Sequence, residues 1–291
     1  MDAIVVEVTR GQVVEARHVV HAVALRDGRI ELAAGDPSLV TFLRSSAKPI
    51  QALPAVRARP DLDDEEIALM CASHLAAPEQ LAVVRRLLAD APAREDELEC
   101  GTDETRIEHN CSGKHAGLLA LCRAEGWPST GYRLAGHPCQ DAMLAEVAAA
   151  AELDPGMLPT AVDGCGVLTF ALTLERAARA FGRLGSLEGG DRVVAAMRAH
   201  ADLLRGPVAL DVQVVRSLDG WVSKGGAEGL LCAASPDGLA LCLKVEDGAF
   251  RALAPATAQV LSRLGVEADG LGGLEVTNSH GEQVGELRVV E

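Results

Sequence analysis

Ser45-Ser46-Ala47-Lys48-Pro49 is the stretch of sequence on which the predicted fold depends. A serine and a lysine three positions apart lie on the same face of a helix. A partly desolvated lysine amine at that place can be neutral near pH 7 and can accept a proton from the serine hydroxyl. The pair therefore indicates a serine nucleophile with Lys48 as its base. The spacing alone is weak, because Ser-x-x-Lys occurs by chance in many helices.

A second feature far downstream strengthens this interpretation. Trp221-Val222-Ser223-Lys224-Gly225-Gly226 is typical of a strand that ends in Lys-Gly-Gly. Serine β-lactamases and penicillin-binding proteins pair Ser-x-x-Lys with a later Lys-Thr-Gly strand in the same order. The two segments together predict a serine hydrolase that needs no histidine.

The composition narrows the class of protein. The chain has 291 residues, of which 48% are hydrophobic, so it can bury a large core. Its formal net charge of −15 argues against nucleic acid and anionic membranes as partners. We find neither a signal peptide at the first residues nor a run of eighteen apolar residues, and eight cysteines without a secretory signal favour a reducing cytoplasm. Cys71, Cys122, Cys232 and Cys242 lie in apolar runs and are expected to be buried.

Periodicity predicts β structure at both ends of the chain and helices between them. The predicted strands are 3–9, 13–25, 30–32, 40–43, 221–223, 229–234, 239–245, 274–278 and 283–290. The predicted helices are one that starts at Ser45-Ser46, with serine as its N-cap, and 63–73, 78–89, 114–125, 138–153, 169–184, 191–204 and 251–264, while 209–218 fits a helix or a strand. This order predicts an α+β fold in which a mainly antiparallel sheet from both chain ends carries an inserted helical lobe.

A second kind of chemistry is indicated by two isolated cysteines. Cys111 lies in His-Asn-Cys-Ser-Gly-Lys-His (109–115), and Cys165 is flanked by glycines in Asp-Gly-Cys-Gly-Val (163–167). Thiols with nearby His and Asp residues can bind zinc, although no Cys-x-x-Cys is present. A buried thiol, or a glycine-rich turn that supports substrate, fits these residues as well.

Long motifs in a fixed order identify a family resemblance. They are Ser-Ser-Ala-Lys-Pro-Ile-Gln-Ala-Leu-Pro (45–54), Cys-Ala-Ser-His (71–74), His-Asn-Cys-Ser-Gly-Lys-His-Ala-Gly (109–117), Gly-His-Pro-Cys-Gln (136–140), Asp-Gly-Cys-Gly-Val (163–167) and Lys-Gly-Gly-Ala-Glu-Gly (224–229). With these motifs, residues 5 to 290 closely resemble the L-asparaginase II family typified by rhizobial inducible asparaginases. The resemblance implies a serine β-lactamase/glutaminase-like fold and the hydrolysis of L-asparagine to L-aspartate and ammonia.

The resemblance also implies roles for individual residues. Ser45 with Lys48 and Ser73 with Lys224 would form two catalytic Ser-Lys tandems, and Cys111, Lys114 and Cys165 would hold zinc. The expected substrate-binding residues are Ser46, His74, Gly225, Gly226 and Glu228, and Asp163 and His115 are expected beside the zinc ligands. Purely structural roles stay open for some of these: an N-cap for Ser46, a helix end for Ser73 and His74, a turn for Asp163 and a helix terminus for His115.

The prediction is therefore a single asparaginase domain over residues 1–291. Its sheet lobe is expected at about 1–44 plus 205–291 and its helical lobe at 45–204. We expect a cytoplasmic homodimer that contains zinc and acts on a small molecule. The alternatives are a glutaminase, another serine β-lactamase-like hydrolase, or a non-catalytic zinc-dependent protein that binds an amino acid.

Overall fold

The computed structural model describes residues 1–268, 270–271 and 274–290. Positions 269, 272–273 and 291 of the predicted sheet lobe lie outside the described residues. Within the described part of the chain, no helix is long and apolar enough to cross a bilayer.

A large antiparallel sheet is built from both ends of the chain, as predicted. Its strand order is β10-β11-β1-β2-β9-β8-β7, and β3 pairs with β2. A smaller sheet has the order β4-β6-β5. The strands are β1 (Ile4–Arg10), β2 (Val13–Arg26), β3 (Arg29–Ala34), β4 (Val40–Phe42), β5 (Thr160–Val162), β6 (Leu168–Thr173), β7 (Val222–Gly226), β8 (Leu230–Ala234), β9 (Leu239–Val245), β10 (Glu275–Thr277) and β11 (Gln283–Val290).

The helices lie mostly between the two β-rich ends. They are α1 (Lys48–Ala58), α2 (Asp64–Met70), α3 (Pro78–Asp90), α4 (Ser112–Glu125), α5 (Pro138–Ala150), α6 (Leu174–Gly182), α7 (Gly190–Ala199), α8 (Ala201–Leu204), α9 (Leu210–Ser217) and α10 (Leu253–Arg263). Short 3₁₀ turns connect several of them. The turn at Arg44–Ala47 directly precedes α1.

Both faces of the large sheet are covered, because its central strands are apolar on each side. Side chains alternate along β2, so Val23 and Leu25 belong to the core that contains the helical region. Val20, Ala22 and Ala24 point to the other face and pack with the α10 core. Burial on both faces gives near-continuous apolar strands, as in Leu-Ala-Leu-Cys-Leu of β9.

Three predicted helix boundaries are wrong, and each has a physical cause. The segment predicted as one helix at 169–184 is the strand β6 followed by α6, because its first part is buried between β4 and β5 in the small sheet. The predicted helix 191–204 is interrupted at His200 and continues as α8. Ser46 does not cap a helix through its side chain, because Ser46 Oγ donates a hydrogen bond to the carbonyl of Lys224 (2.9 Å).

The predicted lobes share elements in two places. Strand β4 from the N-terminal part pairs with β6 from the helical part. Helix α6 packs against β2, β8 and β9 of the large sheet. The 3₁₀ turn Arg44–Ala47 lies between β6 and β7 and thus at the junction.

Candidate active site

The 3₁₀ turn Arg44–Ala47 places Ser45 at the junction of the two sheets. The backbone N–H of Leu43 donates to the carbonyl of Phe170 (2.8 Å), and Arg44 N–H donates to Thr169 Oγ1 (3.1 Å). Arg44 has a φ of +50°, a conformation that a non-glycine residue adopts at a cost of about 1–3 kcal/mol. These contacts hold the start of the turn firmly, and Ser45 itself is half-buried.

Gly226 lets β7 approach this turn closely. A Cβ atom at Gly226 would lie 2.6 Å from the carbonyl oxygen of Leu43 and 2.8 Å from Ser46 Oγ. Both distances are shorter than real Cβ contacts allow. The second glycine of the Lys-Gly-Gly motif is therefore explained by the packing of β7 against the turn.

Lys48 has an unusual environment for an amine. It is 1% exposed in the first turn of α1, and its Nζ donates to Ser73 Oγ (3.1 Å) and to the carbonyl of Ala72. Within the described chain no carboxylate lies within ion-pair distance of it. Burial lowers the pKa of the Lys48 amine, and the cations Lys114 and Lys224 lower it further, against an opposing effect of Cys111. The site therefore favours a neutral amine at Lys48.

Lys224 is also buried, but it has an anionic partner. Its Nζ lies 3.0 Å from Asp211 Oδ2 and donates to the carbonyl of Gly225 (2.9 Å). The N–H of Gly225 donates to the same Asp211 oxygen (2.9 Å). Burial alone would raise the pKa of Asp211, but Lys224 and this N–H lower it below the usual value. The Lys224 amine is therefore held by a carboxylate partner, which Lys48 lacks among the described residues.

Asp211 was missed in the sequence analysis. It lies in the first turn of α9, in the segment that fitted a helix or a strand equally well. An acidic residue at a helix start is common and gave no signal of its own. Only the antiparallel pairing of β7 with β8, which turns Lys224 towards α9, brings the two charges together.

The hydrogen bonds pair the two serines and two lysines differently from the predicted tandems. Lys48 contacts Ser73, whereas Lys224 contacts Asp211. Among the described residues, Ser45 Oγ makes no hydrogen bond, and none joins Ser73 to Lys224. The hydroxyl of Ser45 is therefore free to contact a ligand. Ser45 lies in the 3₁₀ turn that directly precedes Lys48.

The three predicted zinc ligands lie together. Cys111 precedes α4, Lys114 is in the first turn of this helix, and Cys165 is in the turn between β5 and β6. Lys114 Nζ lies 3.1 Å from Cys165 Sγ, and all three side chains are buried. A hydrogen bond with Cys165 lowers the pKa of the Cys111 thiol well below its usual value. Burial would lower the pKa of Lys114, but the charges of Cys165, Cys111 and Asp163 raise it.

These residues fit a zinc ion by the type of their donors. Two thiols and one amine converge, and His115 Nε2 is buried without a hydrogen-bond partner while Nδ1 pairs with the hydroxyl of Tyr132 (2.8 Å). The described residues contain no group of three His, Cys, Asp or Glu side chains placed to hold a metal, so Lys114 would have to serve as the third ligand.

Asp163 is positioned by Arg44 and by its own turn. Its Oδ1 accepts hydrogen bonds from Arg44 Nε (2.5 Å) and from the N–H of Gly164 (2.7 Å). Asp163 thereby joins the turn that carries Ser45 to the loop that carries Cys165.

The remaining predicted substrate-binding residues have different surroundings. Ser46 and Gly225 direct their polar groups to Lys224 and Asp211, as described above. Glu228 lies exposed in the turn between β7 and β8 with a φ of +61°. His74 is buried, and both of its ring nitrogens form hydrogen bonds: Nδ1 accepts from Ala76 N–H (3.1 Å), so Nε2 donates to Ser112 Oγ (2.8 Å).

Acid is expected to destabilise the protein through His74. Burial lowers the pKa of His74 to about 4, against about 6.5 in the unfolded chain. Between these values the unfolded state binds more protons, so stability falls as the pH falls from 6.5 towards 4. We expect a loss of about 1–2 kcal/mol between pH 7 and pH 5, measured by urea unfolding. His74→Gln should flatten this dependence, and an unchanged slope would contradict the assignment.

Comparison with protein families gives one match that spans the chain. The sequence model of the family described as L-asparaginase II matches residues 6–289. No curated protein is similar enough in sequence to count as a match.

Solved structures share the fold at low sequence identity. Mglu in its native form matches at 13% identity with a TM-score of 0.50, over 88% of this chain and 68% of that chain. Mglu in its L-glutamate binding form, in 4.3 M NaCl, matches at 14% identity with a TM-score of 0.51, over 88% of this chain and 64% of that one. A probable glutaminase from Bacillus subtilis complexed with 6-diazo-5-oxo-L-norleucine matches at 13% identity with a TM-score of 0.35, over 79% and 76%.

The chain thus spans about two thirds of the length of the Mglu chains. At these identities the likeness concerns the fold alone. Together with the mixed α/β architecture and its antiparallel sheet, it confirms the predicted serine β-lactamase/glutaminase-like fold.

Proposed function

Because the chain belongs to the L-asparaginase II family, we propose that this amidohydrolase converts L-asparagine to L-aspartate and ammonia, with Ser45 as nucleophile and Lys48 as base. One observation carries the proposal. Lys48 is a buried amine without a carboxylate partner among the described residues, and it lies in the first helical turn after a serine with a free hydroxyl. Lys224, the lysine of the second predicted tandem, has a carboxylate partner in Asp211 and is therefore not available as a base.

The first half of the reaction would form an acyl-enzyme. Ser45 Oγ attacks the side-chain carbonyl carbon of asparagine, and Lys48 Nζ accepts the hydroxyl proton. The N–H of Ser45, for which no hydrogen-bond partner is seen among the described residues, would stabilise the oxyanion. The N–H groups of Ser46 and Gly225 already donate to the carbonyl of Leu43 and to Asp211, so they would not contribute to this stabilisation.

The two products would leave one after the other, ammonia as the acyl-enzyme forms and aspartate as it is hydrolysed. The tetrahedral intermediate collapses, the C–N bond breaks, and the proton held by Lys48 passes through the hydroxyl of Ser73 to the leaving ammonia. Water then attacks the ester carbon while Lys48 accepts its proton, the bond from that carbon to Ser45 Oγ breaks, and the proton passes from Lys48 to Ser45 Oγ as aspartate leaves.

Zinc forms part of the proposal. Cys111, Lys114 and Cys165 would hold it, and a bound zinc ion would supply a soft Lewis acid that orients the α-amino or α-carboxylate group of the substrate. The loop of Asp163 would keep Cys165 aligned with the turn of Ser45 through Arg44.

Removal of one thiol should remove the metal. We expect about one zinc per chain in the purified protein and little or none in Cys165→Ala, measured by inductively coupled plasma mass spectrometry. Cys242→Ala is the matched control, because this buried thiol lies in β9 beside Cys232 and not near Lys114. Equal zinc contents in Cys165→Ala and the control would contradict the proposed ligand set.

Ammonia release from purified protein tests the reaction itself. Asparagine should be a better substrate than glutamine, and the β-lactam nitrocefin should not be opened. A preference for glutamine, or nitrocefin hydrolysis, would favour the alternative hydrolases. Zinc binding without any ammonia release would favour a non-catalytic protein that binds an amino acid.

A homodimer in the cytoplasm remains our prediction for its setting. All eight cysteines are free thiols in the structure, which suits a reducing compartment.

A further inference from the structure

A separate cavity lies beside the Lys224 strand. Its volume is about 570 Å³, and its floor is formed by Gly225 and Asp211. Leu231, Leu253 and Leu287 contribute to its walls, and most of its lining is apolar. This volume and lining are typical of a site for a small molecule with an apolar part, and not of a site for asparagine, which is polar along its whole length.

Large hydrophobic side chains are exposed at the mouth of this cavity. Leu75 is 64% exposed, Val208 84% and Phe250 45%, and all three line the cavity. These three apolar side chains are exposed to water around one cavity, although the protein as a whole is highly charged, with a net charge of −15. Contiguous exposed apolar surface around a concave site marks a place where a ligand or partner binds.

Two cations without carboxylate partners line the same cavity. Most of the described arginines lie within ion-pair distance of a carboxylate. In the described chain, Arg205 instead lies over the ring of Phe250 (5.6 Å), and Arg251 Nε donates to His18 Nε2 (3.0 Å). The stacking orients the guanidinium of Arg205 while its N–H groups stay free for an anion.

The acidic groups of the lining do not cancel these cations. The charge of Asp211 is balanced mainly by Lys224, with a smaller Coulombic contribution from Arg205, and Glu275 is an exposed residue of β10 that does not form an ion pair with either arginine. The cavity is therefore positive at Arg205 and Arg251 and apolar at its leucines, which is complementary to an amphiphilic anion.

We propose that this cavity binds an aliphatic carboxylate of medium chain length, with its carboxylate on Arg205 and its chain along Leu231 and Leu253. The ligand is a free small molecule, and its binding is independent of asparagine hydrolysis. Two residues of its lining, Asp211 and Gly225, also contact Lys224, so the bound ligand would lie next to the lysine strand of the proposed active site.

Isothermal titration calorimetry with octanoate tests the proposal without any turnover. Octanoate should bind, whereas octylammonium, which has the same chain and the opposite charge, should not. Arg205→Gln should weaken octanoate binding about tenfold or more, because it removes the charged partner of the carboxylate. Arg29→Gln, which changes an exposed arginine of β3 far from the cavity, should bind as the unaltered protein does.

A second variant tests the position of the site. Val208→Glu places a negative charge at the mouth on a side chain exposed enough for the fold to tolerate the change, and it should abolish octanoate binding. The matched control is Val13→Glu on an exposed valine of β2. No binding of octanoate to the unaltered protein, or equal binding by Arg205→Gln, overturns the proposal. A sedimentation experiment can also overturn the proposal. If the protein is a dimer that Val208→Glu dissociates and octanoate does not, a second copy of the chain covers the cavity.

Discussion

Ser45→Ala is expected to lower kcat for asparagine by about a thousandfold or more, because the proposed reaction loses its attacking atom and cannot form the acyl-enzyme. The fold should be unaffected. Ser45 Oγ makes no hydrogen bond within the described chain, so its removal leaves no buried partner unsatisfied. The measurement is steady-state ammonia release, with the melting temperature recorded for the same preparation.

The matched control is Ser262→Ala, the same chemical change on an exposed position of α10. It should retain full activity. If Ser45→Ala retained activity within about tenfold of the unaltered protein, the attacking group would lie elsewhere, and Ser73 would be the next candidate because its hydroxyl contacts Lys48.

Lys48→Met is the second variant with a very large expected effect. Methionine has nearly the same length but cannot accept a proton, so kcat should again fall by about a thousandfold. Stability should change little, because burying an amine without a carboxylate is costly and a buried thioether is not. Ammonia release and urea unfolding measure the two effects separately.

Lys48→Arg distinguishes a base from a fixed cation. Arginine keeps the positive charge and the donors but stays protonated at any usable pH, so it should not restore activity. Recovery of activity in Lys48→Arg would show that the site needs a charge and not a base. Lys244→Met, on a half-buried lysine of β9, is the control and should remain active.

The general layout of the fold could be predicted because it depends on local signals. The alternation in β2 and the apolar runs of β8 and β9 mark strands on their own, and strands at both chain ends with helices between them lead to one sheet with an inserted lobe. The error at 169–184 shows the limit of this reasoning. Buried Thr169 and Phe170 become a strand only because β4 and β5 lie beside them, and no local pattern reports those neighbours.

The candidate site could be predicted in its residue types but not in its pairings. The motifs placed Ser45, Lys48 and Ser73 in one region, yet the partner of each lysine depends on the tertiary structure. The carboxylate partner of Lys224 is Asp211, which belongs to α9, a helix separated from β7 by a short turn. A carboxylate in an ambiguous segment gives no signal until the strand direction is known.

The difference between Lys48 and Lys224, the two buried lysines of the predicted tandems, is what assigns their roles. Both are almost inaccessible, but only Lys224 has a carboxylate within hydrogen-bond distance among the described residues. Desolvation favours the neutral form of an amine, whereas a carboxylate partner favours its charged form. The sequence motif Ser-x-x-Lys alone carries no information on this point.

Covalent trapping tests the central claim, that the hydroxyl of Ser45 attacks the carboxamide, most directly. The protein is incubated with an electrophilic diazoketone analogue of asparagine, digested, and examined by tandem mass spectrometry. We predict a single adduct on Ser45 that is absent from Ser45→Ala and prevented by excess asparagine. An adduct on Ser73, Cys111 or Cys165 instead, formed while the enzyme loses activity, would contradict the account.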